Sequence, residues 1–251
     1  MRVVFNADDY GSHPQISRGI VKSMQQGVVR STTVLANMVT DEELSWLAKL
    51  PDISIGAHLN LTKGTPITPF FQDFLDERGD FSKELVFSPE GGPVLPEDAV
   101  REELNAQVNR LKASGLSLDH LDSHHHVHGF VPVLDAVIEI ASDGNMAVRP
   151  TTRWMSEHLT AKGVRHPERL ITGFFGKNNI SQEHLTKLLL GELAFGAPFV
   201  EVMCHPGFSD ALPEGHTQYR EERELELQTL CSPGLAAWFK EQGIEVAKYD
   251  V

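Results

Sequence analysis

Acidic and histidine side chains occur at the places where predicted strands end. Asp8 and Asp9 follow an apolar run at the start of the chain, and His58 lies near the end of a later run. The segment His124–His128 and then His205 follow two further runs of the same kind. The carboxyl ends of parallel strands meet at one edge of an α/β barrel or sheet, where such folds assemble their sites. We therefore expect these side chains to lie close together.

Two histidines and one carboxylate from three strand ends can hold a metal ion and still keep positions open for water and substrate. The predicted ligands are His58, His124 and one member of the Asp8-Asp9 pair. The other aspartate of the pair would then be close enough to act as a general base. This pattern is typical of a catalytic metal centre.

Each of these features also has a purely structural explanation. An acidic pair after a strand often caps a helix or opens a loop, and a single histidine such as His58 is often a hydrogen-bonded core residue. The histidine cluster is flanked by the apolar residues Leu121 and Phe130, which favours a functional role over a surface one. Cys204 and His205 could form a nucleophilic pair, but adjacent strand residues point to opposite faces, which disfavours it.

Composition excludes several classes of partner. The formal net charge is −13, whereas nucleic acids and anionic membranes bind basic surfaces. No apolar run approaches the roughly 20 residues of a membrane-spanning helix, and the N-terminal residues show no signal-peptide pattern. Two cysteines are too few for a disulfide framework. These features together predict a cytoplasmic protein.

Short β-rich segments alternate with segments of helical period. The predicted strands are Val3–Asn6, Ser31–Met38, Ile53–Leu59, Leu116–Leu121, Met146–Val148, Arg169–Phe175, Phe199–Cys204 and Ile244–Val246. The predicted helices are one from Pro14 to Gly27, Glu42–Leu50, one from Val100 that ends at Gly115, Val133–Ile140, one capped by Ser181 that runs through Leu193, and a last one after Ser232 and Pro233.

This alternation predicts an α/β fold with a parallel sheet. Seven or eight strands in 251 residues favour a barrel-like (β/α) fold, a distorted or incomplete TIM-type barrel, over an open doubly wound sheet. We expect residues 1–251 to form a single catalytic domain. A poorly periodic stretch at about 62–96, rich in Pro, Gly and Phe, is predicted to be a long loop excursion that covers one face.

At these residues the chain resembles the YdjC-like carbohydrate deacetylases, the family that includes the chitooligosaccharide deacetylases. The matching motifs occur in the family's order and are Asn6–Gly11, Ser31–Thr33, Gly56–Thr62, His120–His128 and Glu201–Gly207. The resemblance implies a barrel-like α/β fold and a metal held by Asp9, His58 and His124. It also implies that Asp8 is the general base and His205 the general acid.

The same resemblance implies further roles and partners. Asp122, His125, His126 and Arg149 are expected either to orient the ligands from a second shell or to contact the substrate. The family implies magnesium as the metal, whereas two imidazoles and one carboxylate suit zinc, cobalt, nickel or manganese better. The implied substrate is an N-acetylated chito-oligosaccharide, free or phosphorylated, which the enzyme would deacetylate during oligosaccharide degradation. The family also implies a homodimer.

Two other functions remain open at this level. A metal-dependent phosphoesterase is an enzymatic alternative, because histidine-rich α/β barrels also cleave phosphate esters, usually with two or three metals. A non-catalytic sugar- or metal-binding protein is an alternative of another class. A barrel glycosidase is disfavoured, because its paired carboxyl groups do not require clustered histidines.

Overall fold

The computed structural model describes residues 1–69, 74–83 and 95–250, and its centre is a parallel β-sheet. The eight strands are β1 (Arg2–Tyr10), β2 (Ser31–Val34), β3 (Ser54–Leu59), β4 (His120–Ser123), β5 (Ala147–Val148), β6 (Arg169–Ile171), β7 (Phe199–Cys204) and β8 (Glu245–Val246). Nearly every residue of β1, β2, β3, β4 and β7 is buried. Burial on both faces is the expected state of a parallel sheet that helices cover.

The strand order is β5-β4-β3-β2-β1-β7-β6, and β8 pairs with the first residues of β1. Within the described ranges β5 and β6 end this path without pairing with each other, so the barrel is open between them. This order confirms the predicted α/β fold with an incomplete TIM-type barrel. The carboxyl ends of β1, β3, β4 and β7 therefore lie at one edge, where such folds place their sites.

Helices alternate with the strands. They are α1 (Pro14–Gln26), α2 (Asp41–Leu47), α3 (Glu97–Ala113), α4 (Val131–Gly144), α5 (Arg153–Ala161), α6 (Gln182–Phe195), α7 (Glu221–Leu230) and α8 (Pro233–Gln242), with 3-10 turns at His124–Gly129 and Lys177–Asn179. Helices α5 and α7 do not follow from the sequence pattern. Among the described residues, no helix is both long and apolar enough to cross a lipid bilayer.

Strand β1 is longer than predicted and carries the acidic pair inside it rather than after it. Its pairing with β2 shifts register between Ala7 and Tyr10, which marks a bulge, and Asp9 has a positive φ of 71°. In a regular strand, adjacent side chains point to opposite faces. Because the bulge breaks this alternation, Asp8 and Asp9 both line the same cavity.

The turn after β1 is fixed by contacts with α1 and α2. The Tyr10 hydroxyl donates to the Glu43 carbonyl at 2.6 Å, and the Gly11 N–H donates to Ser17 Oγ at 2.9 Å. Gly11 has a φ of 90°, and a Cβ on it would lie 2.5 Å from Val39 Cβ, so only glycine fits. These contacts hold the end of β1, and with it the acidic pair, in one place.

Three other predicted strands differ from the observed bounds by more than one residue. Strand β2 ends at Val34, four residues before the predicted end, because Met38 and Val39 N–H groups both donate to the Leu35 carbonyl and turn the chain. Strand β4 begins only at His120, and β6 ends at Ile171. In each of these segments the apolar residues extend beyond the part that pairs with a neighbouring strand, because buried turns are apolar as well.

The described part of the predicted excursion at 62–96 packs against α3. The buried Glu103 carboxylate accepts hydrogen bonds from the N–H groups of Ile67 and Thr68 at 3.1 and 2.8 Å. Phe74 and Phe81 are also buried. Residues 70–73 and 84–94 of the excursion lie outside the described residues.

Candidate metal centre

Asp9, His58 and His124 converge at the carboxyl edge of the sheet, and one ligand atom from each lies within 4.8 Å of the other two. Asp9 Oδ1 lies 2.9 Å from His124 Nδ1 and 3.4 Å from His58 Nε2. Asp9 and His58 are buried, and His124 is only slightly exposed. The structure thus brings together the three residues that the sequence analysis names as ligands.

His58 is oriented by the side chain opposite the cluster. Its Nδ1 lies 2.7 Å from Asp122 Oδ1, so that Nε2 faces Asp9. Thr33 Oγ1 donates to Asp122 Oδ2 at 3.0 Å and lies 3.1 Å from His58 Nδ1. A histidine whose second nitrogen is held by a carboxylate is the usual arrangement around a metal, because it fixes the tautomer and the ring.

His124 reaches the cluster because of an unusual turn after β4. His125 and His126 both adopt positive φ values, of 54° and 55°. Left-handed backbone is uncommon for non-glycine residues and is concentrated at functional sites. The turn reverses the chain directly after His124 and leaves Nδ1 of that residue towards Asp9.

The remaining histidines of the segment have different roles. His125 Nδ1 lies 2.9 Å from Thr62 Oγ1, and His126 Nδ1 is buried without a hydrogen-bond partner in the described structure. Both line the cavity beside the cluster. His128 is fully buried and bonds to Ser123 and to the Arg149 carbonyl, so it supports the turn and does not face the cavity.

Asp8 is held by a buried arginine. Arg149 Nη1 and Nη2 each donate to one Asp8 oxygen at 2.7 Å, in a bidentate pair. Asn6 Nδ2 adds a third hydrogen bond to Asp8 Oδ1 at 2.8 Å. The same guanidinium lies 2.9 Å from Asp122 Oδ2 and 2.6 Å from Glu201 Oε1. Arg149 therefore joins Asp8 to Asp122, the residue that orients His58. Because Arg149 is fully buried, it cannot bind a substrate directly.

His205 follows β7 and faces Asp8 across the cavity. Its Nε2 lies 3.9 Å from Asp8 Oδ2. Its backbone N–H donates to Glu226 Oε2, and its carbonyl accepts from Arg223 Nη1 at 3.3 Å. Cys204, one residue earlier, points away and donates its thiol to the Asn6 carbonyl at 3.2 Å, as expected for adjacent strand residues.

The cavity above the cluster has a volume of about 540 Å³, within the range of small-molecule sites. Part of its wall is aromatic: the rings of Phe175 and Tyr219 stack with centroids 4.5 Å apart, and both rings meet His205 edge to face. Phe175 remains 45% exposed. The Tyr219 hydroxyl donates to Glu226 Oε1 at 2.5 Å, which fixes the pair.

Comparison with known protein families identifies the family of this chain. The family model described as YdjC-like protein matches residues 2–241. The chain belongs to the YdjC-like family. A carbohydrate deacetylase of Vibrio cholerae serotype O1 (strain M66-2) is 37% identical over 256 residues, covering 99% of this chain and 95% of that protein. A carbohydrate deacetylase of Clostridium beijerinckii is 31% identical over 258 residues, covering 99% of each.

Solved structures extend the comparison to the fold. A protein of Enterococcus faecalis V583, described as a candidate cellobiose-phosphate cleavage protein, superposes with a TM-score of 0.88 at 30% identity, covering 99% of this chain and 97% of that one. A family 4 carbohydrate esterase of Streptomyces lividans has a TM-score of 0.51 at 8% identity, covering 97% and 90% of the two chains. The second likeness concerns the fold alone.

The donor set of this YdjC-like protein fits a divalent metal ion. Asp9 Oδ1 is buried, and among the described residues it faces the ring nitrogens of His124 and His58, which are themselves ligand atoms. Ligand atoms about 2.1 Å from a common ion lie about 3.0–3.4 Å apart, close to the observed separations of 2.9 and 3.4 Å. Two imidazoles and one carboxylate are ligands that zinc and its first-row neighbours prefer.

Burial and charge set the protonation of the site. Burial alone would lower the pKa of His58, but the Asp122 carboxylate raises it to about 10, so a metal must displace a proton from Nε2. Burial lowers the pKa of His124, although Asp9 opposes the effect. Burial also lowers the pKa of His205 to about 4, against the charges of Asp8 and Asp9. His205 is therefore neutral at neutral pH in this state.

Four residues that shape the cavity are absent from the sequence prediction: Phe175, Tyr219, Arg223 and Glu226. The last two come from α7, whose buried face consists of Arg223, Glu226, Leu227 and Leu230. Because half of that face is charged, the apolar period that reveals other helices is missing. The sequence signal that indicates this helix is a run of alternating acidic and apolar residues, which follows a segment that contains Pro and Gly.

Proposed function

We propose that this protein hydrolyses the N-acetyl amide of an N-acetylated carbohydrate, with a divalent ion held by Asp9, His58 and His124. The observation that carries this proposal is the convergence of the buried Asp9 Oδ1 and two imidazole nitrogens, in a cavity that Asp8 and His205 also line. The relatives described as carbohydrate deacetylases support the same reaction. When bound, the ion would lower the pKa of a water molecule and polarise the amide carbonyl.

Asp8 is placed to take the proton of the attacking water. Arg149 and Asn6 bind both of its oxygens with hydrogen bonds that hold the orientation of the carboxylate. The oxygen that faces His205 keeps a free lone pair for the proton. General-base catalysis of this kind contributes about 10²–10⁴ in rate.

His205 is placed to deliver a proton to the departing amine. Water supplies a hydroxyl to the acetyl carbon, the C–N bond breaks, and the nitrogen must gain a proton to leave as an amine. His205 is neutral before the reaction, because burial lowers its pKa to about 4. Its Nε2 lies 3.9 Å from Asp8 Oδ2, so the proton taken from water can pass to His205 and then to nitrogen.

The substrate class follows from the walls of the site. Phe175 has one face against Tyr219, while 45% of its surface is exposed in the cavity. An aromatic face binds the apolar face of a pyranose ring, which suits an N-acetylglucosamine-type oligosaccharide. A neighbouring cavity of about 620 Å³ is lined by Lys63 and Lys83, which are placed to meet the phosphate of a phosphorylated sugar, whereas Arg78 in the same wall is paired with Asp76.

The structure disfavours a multi-metal phosphoesterase. A second candidate group, Asp8, His58 and Asp122, also has its ligand atoms within 4.8 Å. However, Arg149 binds both carboxylates, and Asp122 binds His58, so a cation would have to displace a buried guanidinium. Among the described residues, Asp9 Oδ1 instead faces the imidazole nitrogens of His58 and His124, so a cation can bind it without displacing a guanidinium. One ion per chain is the expected stoichiometry.

The deciding experiment measures acetate release from N-acetylated chito-oligosaccharides, with and without a phosphate. Enzyme stripped by a chelator is reloaded with magnesium, manganese, cobalt, nickel or zinc, and Asp8→Asn serves as the control. The proposal predicts acetate release that returns with metal and is lost in the control, with a first-row transition ion more effective than magnesium. Release of phosphate without acetate would establish the phosphoesterase instead. Sugar or metal binding without turnover of any substrate would establish a binding protein.

A further inference from the structure

The two oxygens of Asp9 have different surroundings. Oδ2 accepts a hydrogen bond from Arg223 Nη2 at 2.6 Å. Oδ1 lies 3.4 Å from His58 Nε2 and 2.9 Å from His124 Nδ1. The carboxylate therefore presents one oxygen to the imidazole nitrogens of the cluster, and the Arg223 guanidinium holds the other.

Arg223 is itself fixed by its position on α7. It is only 4% exposed, and its Nη1 donates to the His205 carbonyl at 3.3 Å. Its own carbonyl accepts the Gly207 N–H at 3.2 Å, which ties α7 to the loop after β7. One guanidinium thus contacts both a proposed metal ligand and the backbone of the proposed proton donor.

The backbone at Asp9 strengthens this constraint. A positive φ at a non-glycine residue costs of order 1–3 kcal/mol and persists only where neighbouring contacts impose it. Asp9 has a φ of 71° within the bulge of β1. The backbone of Asp9 is therefore already restricted, and the freedom that remains is rotation of its carboxylate. The hydrogen bond from Arg223 restricts that rotation.

We infer that Arg223 is a positioning residue that limits Asp9 to a single metal-binding oxygen and so keeps a coordination position free for the substrate. The inference rests on the metal site of the proposed function. A carboxylate can bind a cation through one oxygen or through both, and a catalytic site depends on open positions. Arg223 occupies Oδ2 and also places a positive charge beside the ion, which weakens metal binding while it preserves the open position.

This role makes an unusual prediction: loss of Arg223 lowers activity but does not weaken metal binding. In Arg223→Met, Asp9 Oδ2 is free to become a second ligand and the nearby positive charge is gone. We expect the cobalt dissociation constant to fall at least about threefold. Arg223→Lys keeps the charge and can reach the same oxygen, so it is expected to restore most of the wild-type behaviour.

The test uses cobalt as both ligand and reporter. Each full-length variant, stripped of metal, is titrated with Co²⁺ by calorimetry and by visible absorption, and its melting temperature is measured in parallel. An added carboxylate oxygen raises the coordination number, which weakens the visible bands of Co²⁺. Arg220→Met is the matched control, because within the described part of the chain the Arg220 guanidinium hydrogen-bonds to backbone carbonyls, those of Ser209, Leu212 and Pro213.

The expected result is a weaker visible spectrum and a cobalt dissociation constant at least about threefold lower in Arg223→Met, with recovery in Arg223→Lys and no change in Arg220→Met. A folded Arg223→Met with the wild-type spectrum, or with unchanged or weaker cobalt binding, would overturn the inference. If the methionine variant does not fold, Arg223→Gln is measured instead: its amide can still donate to Asp9 Oδ2 without a charge, so the inference predicts the wild-type spectrum with a lower cobalt dissociation constant, and a weaker spectrum or weaker cobalt binding would overturn it. Failure of the wild type to bind cobalt would instead overturn the metal site of the proposed function.

Discussion

Replacement of Asp122 by asparagine tests how the ligand His58 is held. The Asp122 carboxylate accepts from four donors: His58 Nδ1, Thr33 Oγ1, Arg149 Nη1 and, at 3.4 Å, Asn6 Nδ2. An amide of the same shape has one acceptor atom and one donor atom. If its oxygen faces His58, its NH₂ group faces the N–H of Arg149. If its NH₂ group faces His58, the ring proton moves to Nε2, the atom that faces Asp9.

The size of the effect follows from these alternatives. Loss of the partner that orients a metal-binding histidine typically costs 10–100-fold in metal affinity, or about 1.4–2.7 kcal/mol of binding free energy. The stability cost stays below the 3–5 kcal/mol of a wholly unpaired buried charge, because Arg149 keeps Asp8 and Glu201. We expect a fall of about 1–3 kcal/mol in the free energy of unfolding.

Calorimetric titration of the metal-free Asp122→Asn variant with Zn²⁺ measures this loss, with circular dichroism to show that the variant is folded. Asp119→Asn is the matched control. Asp119 Oδ1 lies 2.5 Å from His120 Nδ1 in a similar carboxylate–histidine pair, but His120 Nε2 faces Asn6 and not the cluster. The control should keep the wild-type affinity within about twofold. A folded Asp122→Asn variant with wild-type zinc affinity would refute the proposed support of His58.

Three further predictions address the base, the sugar and pH. Asp8→Asn should lower kcat by about 10²–10⁴ with the metal dissociation constant unchanged, as measured by acetate release and calorimetry. Phe175→Leu should raise KM for a disaccharide by about three- to tenfold and leave kcat nearly unchanged, with the 82% exposed Phe195→Leu as control. Burial raises the pKa of Glu226 to about 8, although Tyr219 opposes the effect. Protonated Glu226 makes its full contribution to the free energy of unfolding below about pH 4.3, the pKa of an unfolded glutamate. This contribution is lost as the pH rises to about 8. Glu226→Gln should therefore flatten the fall of melting temperature over that interval.

Each of these has an outcome that would contradict it. Full activity in Asp8→Asn would remove the assigned base, and loss of zinc binding in that variant would make Asp8 a ligand. An unchanged KM in Phe175→Leu would show that the sugar ring does not bind against Phe175. A Glu226→Gln variant whose stability still falls by up to about 1.4 kcal/mol per pH unit over the same interval would assign that proton to another group.

The sequence correctly predicts the parallel sheet and the positions of three site residues at the ends of its strands. His58 near the end of β3, His124 after β4 and His205 after β7 occur where the pattern places them, because apolar runs bounded by polar residues mark buried parallel strands. The family resemblance that rested on these motifs is confirmed. The assignment of individual ligand and proton-transfer roles stays a prediction, as do the homodimer and the cytoplasmic location.

What the sequence misses has physical causes. Helix α7 buries Arg223 and Glu226 beside two leucines, so its buried face is not apolar. The bulge at Asp9 and the left-handed pair His125 and His126 are imposed by tertiary contacts, and no local residue preference predicts them. The burial of Arg149 among three carboxylates depends on strands distant in sequence, so the sequence predicts Arg149 only as a residue that orients the ligands or contacts the substrate.

The buried cluster around Arg149 limits how this protein can change by mutation. Its partners Asp8, Asp122 and Glu201 come from β1, β4 and β7, so one guanidinium joins three strands away from water. Loss of Arg149 leaves three carboxylates in the interior without their shared cation, and lysine cannot replace its bidentate geometry. Loss of one carboxylate is less severe, because Arg149 keeps the other two. In a saturation mutagenesis experiment, position 149 should therefore tolerate single substitutions less than the proposed ligands do, because a lost ligand removes activity whereas loss of Arg149 also destabilises the fold.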